Sequence, residues 1–237
     1  LVLAIVLCML PMHVAVAQTD QEPPTAIIVS EGFSPLTQSW EVASGAWSVV
    51  DSTYRSTGTG IGISTITSYR YVHPASPPAP VLDFDEFTLR ARIRNHGTAL
   101  PQTAGLVYQY QDSGNYLEAL VAPNGTLTLI RVQNGVAYAI DNALFSLPAQ
   151  SWFALEVQRR QGLTTVRING IPVLEDVEHE DLGRGQIGLI TQGTTSTFDN
   201  VWVGVPFGDQ PFREDFTEGL TQDWQPVSGE WTVAGGS

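Results

Sequence analysis

The sequence contains no lysine, few charged residues and a single cysteine. Every basic residue is arginine, and the 237 residues carry a formal net charge of −13. This acidic balance argues against binding a nucleic acid or an anionic membrane surface, because both repel a negatively charged partner. The cysteine, Cys8, lies in the apolar N-terminal run. The rest of the chain therefore has no disulfide and must be stabilised by its hydrophobic core.

The N-terminal apolar run ends in Ala15-Val16-Ala17, a small-x-small pattern that is typical of a signal peptidase site. Residues 1–17 are predicted to be a signal peptide truncated at its start, and 18–28 a polar linker. The sequence thus predicts a secreted or cell-surface protein. A membrane anchor is the alternative, but the run is shorter than the roughly 20 residues that span a bilayer. No membrane insertion of the mature domain is expected.

Turn signals favour an all-β domain. Three Asn-Gly steps stand between alternating apolar residues, at Asn124-Gly125, Asn134-Gly135 and Asn169-Gly170. Because Asn-Gly tolerates positive φ at both positions, each step predicts a type I′ hairpin turn. No segment from 27 to 205 shows the period of an amphipathic helix.

Apolar and polar residues alternate in several segments, as expected for strands with one buried face. One predicted core face holds Phe87, Leu89, Ala91 and Ile93, opposite Arg90, Arg92 and Arg94. The same pattern groups Leu106 with Tyr108 and Tyr110, opposite Val107, Gln109 and Gln111, and groups Leu117, Ala119 and Val121 opposite Tyr116 and Glu118. The predicted fold is a two-sheet antiparallel β-sandwich.

The segment from Val29 to Trp47 recurs, with small changes, from Phe212 to Trp231. The two copies are separated by enough residues to form a whole domain, so the repeating unit is a domain and not a short solenoid repeat. The sequence therefore predicts one sandwich over residues 29–207, followed at 208–237 by a linker and the truncated start of a second, homologous repeat in a tandem array. Trp40 and Trp47 keep their places in both copies, which favours a role in the core over one as sugar platforms.

The segments "EGFSPLTQSWEVASGAWSVVDSTY", "AGLVYQYQDSGNYLEALV" and "WFALEVQRRQGLTTVRINGIPVLEDV" resemble the concanavalin A-like lectin/glucanase superfamily. The nearest similarity is to its laminin-G-like and 3-keto-disaccharide-hydrolase-like members. The resemblance implies a jelly roll of two curved sheets, often with a concave face that meets sugars, and thus a polysaccharide or glycan partner.

Planar polar side chains and aromatic rings suit sugar recognition. The candidate carbohydrate-binding residues are Arg90, Arg92, Arg94, Gln109, Gln111, Tyr116 and Glu118. They would form the floor of one groove if their strands are neighbours in one sheet. The alternative is that they only solvate an exposed sheet face.

Catalysis is not favoured by any motif. The laminarinase-type enzymes of this superfamily carry Glu-x-Asp-x-(x)-Glu on one strand, and the acidic segment 175–181 lacks that string, so it is interpreted as an exposed loop. No orienting partner can be assigned to His73 or His96. The sequence favours a non-catalytic binding or adhesion module. A glycoside- or keto-sugar-acting hydrolase and a structural spacer remain the alternatives.

A structural calcium ion is a further expectation from the resemblance, since related sandwiches often tie the first strand to the last with Ca²⁺. The matching residues are Glu31 and Asp199, and the second copy offers Glu214 and Asp215. The alternative is that Asp199 caps a turn or pairs with an arginine.

Overall fold

A computed structural model describes residues 25–33, 39–68 and 86–206. Within these ranges the regular structure is entirely β-strand, so the predicted fold class is confirmed. In chain order the strands are β1 (Thr25–Glu31), β2 (Ser39–Ser44), β3 (Ala46–Val50), β4 (Thr53–Thr57), β5 (Ile61–Ser68), β6 (Phe87–Asn95), β7 (Thr103–Asp112), β8 (Asn115–Val121), β9 (Thr126–Gln133), β10 (Val136–Leu144), β11 (Trp152–Arg160), β12 (Leu163–Ile168), β13 (Ile171–Glu178), β14 (Gln186–Gln192) and β15 (Ser196–Pro206). No described element is a helix able to cross a membrane.

The strands form two antiparallel sheets packed face to face. The first sheet has the order β13-β12-β11-β6-β15-β4-β3, with β1 paired to the second half of β15. The second sheet has the order β10-β9-β8-β7-β14-β5-β2. Consecutive hairpins supply one half of each sheet, and the chain crosses between the sheets to complete the other half. This is the topology of a jelly-roll sandwich.

The core lies between the sheets and contains the face of β6 that the sequence predicted. Phe87, Leu89, Ala91 and Ile93 are at most 1% exposed, whereas Arg90 and Arg92 between them face solvent. The inner face of β8 supplies Leu117, Ala119 and Val121 from the opposite sheet. Burial of such alternate side chains is the main favourable term in the folding of the domain.

Two of the three Asn-Gly predictions are confirmed. Asn134-Gly135 joins β9 to β10 with φ of 52° and 78°, and Asn169-Gly170 joins β12 to β13 with φ of 54° and 80°. Positive φ at both positions matches the type I′ turn. Asn124-Gly125 also lies in a hairpin, between β8 and β9, but the predicted turn type is wrong there because only the glycine has positive φ. Pro123 fixes its own φ near −65°, so the chain forms a turn of the type I pattern closed by Gly125 N–H donating to the Ala122 carbonyl at 2.9 Å.

The two tryptophans of the repeated motif pack against the core, as the sequence predicts. The Trp40 ring centroid lies 5.7 Å from that of Phe33 and 5.3 Å from that of Tyr54. Trp47 lies 5.0 Å from Tyr54 and 5.6 Å from Phe198. These rings join the start of the chain to β15, which explains why the motif holds its aromatic residues in fixed positions.

Some of the sequence predictions concern residues outside the described ranges. The signal peptide, most of the linker and the repeated segment at 208–237 are among them, and so is His73. The first strand begins at Thr25, within the segment that was predicted to be linker. Strand β15 ends at Pro206, one residue before the predicted domain boundary.

Candidate functional site

The arginines of β6 lie on the outer face of the first sheet. Arg90 and Arg92 are exposed, and Arg94 is partly buried with its Nε donating to the Gln150 carbonyl at 2.9 Å. Strand alternation places the three guanidinium groups on one side because the intervening residues belong to the core. The outward orientation predicted from the sequence is therefore confirmed for these three residues.

The structure does not bring the two groups of candidate residues together. Strand β6 lies in the first sheet, whereas β7 and β8 lie in the second sheet. Side chains that leave the core on these strands therefore point to opposite sides of the sandwich. The predicted single groove, lined by Arg90, Arg92 and Arg94 together with Gln109, Gln111, Tyr116 and Glu118, is wrong for this reason.

A bulge in β7 changes the orientation of the residues that follow it. Gln109 has a φ of 48°, and the pairing of β7 with both neighbours shifts around it. The alternation predicted that Tyr110 shares the core face of Tyr108, but Tyr110 packs on the opposite face, 5.9 Å from Tyr116. A β-bulge inserts one unpaired residue and so reverses the pattern after it.

The two glutamines of β7 hold a loop. Gln109 is buried, and its Oε1 accepts a hydrogen bond from the backbone N–H of Leu182 at 3.3 Å. Gln111 donates from Nε2 to the backbone carbonyls of Leu182 and Arg184. Both amides are thus engaged in fixing the segment between β13 and β14, which leaves them less suited to sugar recognition than the sequence suggests.

The outer face of the second sheet is apolar and largely shielded from solvent. A second hydrophobic cluster lies there, formed by Ile63, Val107, Tyr116, Leu120, Val132 and Ile190. Glu118 stands among these residues at 1% exposure, and Gln192 donates from Nε2 to its two carboxyl oxygens at 3.2 and 3.1 Å. Burial raises the pKa of Glu118 from 4.5 to about 7, against the smaller opposing effect of the Gln192 amide. The predicted exposure of Tyr116 and Glu118 is wrong.

Two tryptophans join the arginines on the outer face of the first sheet. Trp152 on β11 pairs in register with Arg94, and Trp202 on β15 pairs with Arg90. Both tryptophans are partly exposed. The Arg92 guanidinium carbon lies 5.0 Å from the centroid of the Trp152 ring, which is within the range of a cation–π contact. We call this surface, formed by Arg90, Arg92, Arg94, Trp152 and Trp202, the arginine–tryptophan face.

The carboxylates near this face are engaged elsewhere. Glu156 lies beside Arg90 in register but pairs with Arg167 across the β11–β12 ladder at 3.1 Å. Asp199 lies beside Arg92, and its Oδ1 accepts a hydrogen bond from the Asn200 backbone N–H at 2.8 Å. Among the described residues, neither Arg90 nor Arg92 forms an ion pair. The two exposed guanidinium groups therefore retain their charge and most of their hydrogen-bond donors.

His96 lies at the edge of the face, close to two positively charged arginines. His96 follows β6, and its Nε2 lies 2.9 Å from the hydroxyl of Thr197 on β15. Burial lowers the pKa of His96, and the positive charges of Arg94 and Arg55 lower it further. Arg55 on β4 stands opposite Thr197 in register and so extends the same surface by one more strand.

The interpretation of the acidic segment 175–181 as a loop is wrong for its first half, because Glu175, Asp176 and Glu178 belong to β13. The part that follows β13 is tied to arginines of both sheets. Arg131 of β9 pairs with Glu180, and Arg159 of β11 pairs with Asp181. Burial alone would raise the pKa of Asp181, but the Gly183 N–H and the Arg159 charge hold that pKa below its ordinary value. The His179 Nε2 lies 2.8 Å from the hydroxyl of Thr164. These contacts assign the loop a structural role in joining the sheets.

The calcium prediction rests on Glu31 and Asp199, which lie near each other along paired strands. Glu31 pairs with Val201 in register and is buried with the core side of β15. Its Oε1 accepts a hydrogen bond from the Phe33 N–H at 2.6 Å. Asp199 pairs with Arg92 and so lies on the outer side. The two carboxylates are on different faces of the sheet, and the described residues contain no cluster of three acidic, histidine or cysteine side chains for a metal. Calcium binding stays a prediction, and this pair does not form its site.

Sequence reasoning missed Trp152, Trp202 and Arg55 as members of the exposed face. The signal was present for Trp152, because Phe153, Leu155 and Val157 alternate with it and belong to the core. For Trp202 the signal was hidden by a bulge between Asp199 and Trp202, where Asn200 has a φ of 50°. Without the register across β15, the position of Arg55 could not be deduced.

Comparison with solved structures shows the fold. A carbohydrate-binding module, CBM66, from Bacillus subtilis superimposes with a TM-score of 0.59 and 16% identity over 70% of this chain and 94% of its own. A protein of unknown function with a galectin-like fold, also from Bacillus subtilis, superimposes with a TM-score of 0.55 and 12% identity over 76% of this chain and 97% of its own. No curated protein sequence matches the chain.

A family model covers more than half of the sequence. The 3-keto-alpha-glucoside-1,2-lyase-like domain matches residues 81–204, which extend from just before β6 to near the end of β15. This range includes all the candidate carbohydrate-binding residues that were predicted from the sequence. Arg55, which extends the arginine–tryptophan face, lies before it. The resemblance to 3-keto-disaccharide-hydrolase-like proteins is thereby confirmed, and the chain belongs to the 3-keto-alpha-glucoside-1,2-lyase-like domain family.

Proposed function

We propose that this chain is a secreted or cell-surface carbohydrate-binding domain that contacts its glycan through the arginine–tryptophan face. It acts without catalysis, as one unit of a tandem array. The observation that carries the proposal is the pair of exposed guanidinium groups on β6, Arg90 and Arg92, which form no ion pair within the described part of the chain and are flanked by Trp152 and Trp202. The similarity of the fold to a carbohydrate-binding module supports this choice of ligand.

The chemistry of the face suits a sugar polymer. Guanidinium groups donate paired hydrogen bonds to neighbouring oxygens, and tryptophan rings offer apolar surface to the C–H groups of a pyranose. Trp152 and Trp202 lie two strands and four residues apart, which corresponds to about 16 Å for strands spaced about 4.8 Å with a rise of about 3.3 Å per residue. This separation fits an oligosaccharide better than a single sugar. In a tandem array, weak binding by each domain would be strengthened by multivalency.

Affinity electrophoresis of the 237-residue chain through gels that contain soluble polysaccharides tests the proposal. We expect retardation by at least one polymer, and about tenfold weaker binding for Trp152→Ala and Trp202→Ala, because each removes an aromatic contact. Tyr138→Ala is the matched control, since Tyr138 is 48% exposed on β10 of the other sheet. Absence of retardation by every polymer, or equal losses in the tyrosine variant and the tryptophan variants, would contradict the proposal.

A second candidate function is a hydrolase or lyase that acts on a keto-sugar at the outer face of the second sheet. The observation in its favour is the Glu118 carboxyl, whose pKa of about 7 suits a general acid, within a chain of this family. Tyr116 lies on the same strand face and could hydrogen-bond a sugar. The 1% exposure of Glu118 is the argument against it, because a substrate must reach the carboxyl.

Incubation of the chain with 3-keto-disaccharides, followed by chromatography of the products, tests this second function. Glu118→Gln removes the titrating proton and would abolish product formation if Glu118 is the acid. Glu180→Gln is the control, because Glu180 is an exposed carboxylate of a loop that joins the sheets. Product formation at the same rate in all three proteins would exclude a catalytic role for Glu118.

A further inference from the structure

The charge of the arginine–tryptophan face indicates the class of glycan. We infer that the face binds an anionic polysaccharide, one that carries a carboxylate or a sulfate ester on its sugars. This inference rests on the proposed function, since it names the ligand class of the same site. Two observations support it: the distribution of charge over the first sheet, and the lack of an ion pair at Arg90 and Arg92 among the described residues.

Arginine is concentrated on this outer surface. Three rows of outward side chains in register run through Arg90, Arg92 and Arg94, and each row spans three or four of the strands β12, β11, β6, β15 and β4. They contain five arginines, which are Arg55, Arg90, Arg92, Arg94 and Arg167, against the two carboxylates of Glu156 and Asp199. The local balance is therefore positive, in a chain with 11 basic residues and a formal net charge of −13.

Two guanidinium groups of this surface have no ion-pair partner within the described part of the chain. Positive charges spread over an acidic protein would be expected to pair with its 24 acidic residues. Glu156 pairs only with Arg167, and Asp199 accepts its bond from the backbone, so Arg90 and Arg92 have no carboxylate partner among the described residues. Arg92 is held instead by the Trp152 ring, which fixes the guanidinium without neutralising it. An arginine held in this way is ready to receive an external anion.

An anionic ligand is repelled electrostatically by the acidic remainder of the protein, and binding must overcome this repulsion. Because the domain as a whole is acidic, a polyanion is attracted only where the local field is positive. The field at this face is positive at its edge too, where Arg94 and Arg55 disfavour the protonated form of His96. A surface with arginines on β6 and tryptophans on the two neighbouring strands would contact both the anionic groups and the apolar ring faces of a bound chain. A neutral glycan could accept hydrogen bonds from the guanidinium groups through its hydroxyl oxygens, but it would leave their positive charges without an anion.

Calorimetric titration of the 237-residue chain with three polymers tests the inference. Polygalacturonate carries a carboxylate on each sugar, its carboxyl-reduced form keeps the same linkages without charge, and dextran sulfate carries sulfate esters. We expect binding to at least one acidic polymer, weakened at high salt through screening, and binding at least tenfold weaker to the reduced polymer. The tighter of the two acidic polymers identifies the preferred anion, and either preference supports the inference.

Charge-removing variants locate the site. Arg92→Gln and the double variant Arg90→Gln/Arg92→Gln should weaken binding to the acidic polymer by about tenfold and about a hundredfold, because each loses a charge-assisted hydrogen bond. Arg184→Gln is the control, since it removes the same charge from an exposed loop away from the face. Thermal unfolding of each variant shows whether the fold is retained.

The outcomes distinguish a failure of the anionic ligand class from a failure of the proposed carbohydrate-binding function. Measurable and equal affinity for polygalacturonate and its carboxyl-reduced form, with no tighter binding to dextran sulfate, would overturn the anionic ligand class and leave the proposed carbohydrate-binding function standing. Binding to the acidic polymers with equal loss in Arg92→Gln and Arg184→Gln would overturn the inference by placing the contact elsewhere. Failure to bind these three polymers, together with failure to bind any polymer in the gel assay, would overturn the proposed function itself.

Discussion

The guanidinium of Arg92 lies over the ring of Trp152 at 5.0 Å, on the solvent side of the first sheet. A similar contact exists between Arg131 and Tyr138 at 5.4 Å, but Arg131 is also paired with Glu180. The two arginines therefore differ in charge compensation. Arg131 holds the loop between the sheets, whereas Arg92 is exposed and forms no ion pair with any residue that the structure describes, and this difference is the basis of the functional account.

The pKa of His96 depends on the arginines of the face. Replacement of Arg94 by Gln removes a positive charge near the imidazole, so the protonated form is less disfavoured and the pKa of His96 rises. Arg55→Gln should act in the same direction. Titration of the His96 ring protons by NMR measures both shifts. Arg184→Gln should leave this pKa unchanged, and a fall in pKa in either face variant would contradict the assignment of a positive field.

Glu118 makes the stability of the domain depend on pH. Because its pKa is raised from 4.5 to about 7 on folding, the carboxyl contributes full stability below pH 4.5, and that contribution is lost as the pH rises through about 7. The loss amounts to about 3 kcal/mol in the free energy of unfolding, from the size of the shift. Denaturant unfolding at a series of pH values measures it.

Glu118→Gln is the matched variant for this measurement, since it keeps the shape of the side chain and does not titrate. The partly buried His96 and His179, whose pKa values are lowered, add a dependence of opposite sign to both proteins. The difference between the two stability curves therefore isolates Glu118. Parallel curves for the variant and the wild type from pH 4 to pH 8 would show that the carboxyl is not buried in its neutral form.

Two glycine substitutions should differ in cost although their backbone angles agree. Gly125 and Gly135 have φ of 82° and 78°, so alanine at either position adds strain of about 1 kcal/mol. A Cβ at Gly125 would also overlap the backbone carbonyl oxygen of Phe145, whereas a Cβ at Gly135 meets nothing within 4 Å. Gly125→Ala should lower the free energy of unfolding by about 3 kcal/mol or more. Equal losses in thermal or chemical unfolding would mean that the contact between the 122–125 turn and Phe145 is not as close as described.

Asp181 neutralises a buried arginine. The side chain of Arg159 is 3% exposed, and it pairs with Asp181 while Nη1 donates to the Gly162 carbonyl at 3.1 Å. Asp181→Asn leaves that charge without its counterion, so the free energy of unfolding should fall by about 2 kcal/mol. Glu180→Gln in the same loop should cost less than about 1 kcal/mol, because Glu180 is 67% exposed. If both variants unfold at the same denaturant concentration, the Arg159–Asp181 pair is not buried as described.

The alternation of apolar residues predicted the faces of individual strands well. In β6 the period of two is unbroken, and both its core side and its arginine side are as expected. In β7 the same reasoning failed after Gln109, because a left-handed backbone conformation at one residue cannot be deduced from hydrophobicity. The result is that Tyr110 changes faces and joins Tyr116.

The sequence did not predict which strands pair with one another in each sheet, and this omission had the larger effect on the predicted site. Alternation identifies which side of a strand is buried, but it does not tell which of the two sheets contains that strand. For this reason Arg92 and Glu118 were placed in one groove, although the sheets that carry them are on opposite sides of the core. Trp202 was missed because the bulge after Asp199 interrupts the alternation along β15, so that its place on the outer face follows only from its register with β6.

Chemical-shift mapping of a bound oligosaccharide tests the central claim most directly. Titration of isotope-labelled protein with an oligogalacturonide should perturb the indole N–H signals of Trp152 and Trp202 and the guanidinium Nε–H signals of Arg90 and Arg92. The signals of Tyr110, Tyr116 and Gln192 on the other sheet should stay unchanged. Perturbation confined to the outer face of the second sheet around Glu118, with the indole signals of Trp152 and Trp202 unmoved, would contradict the account.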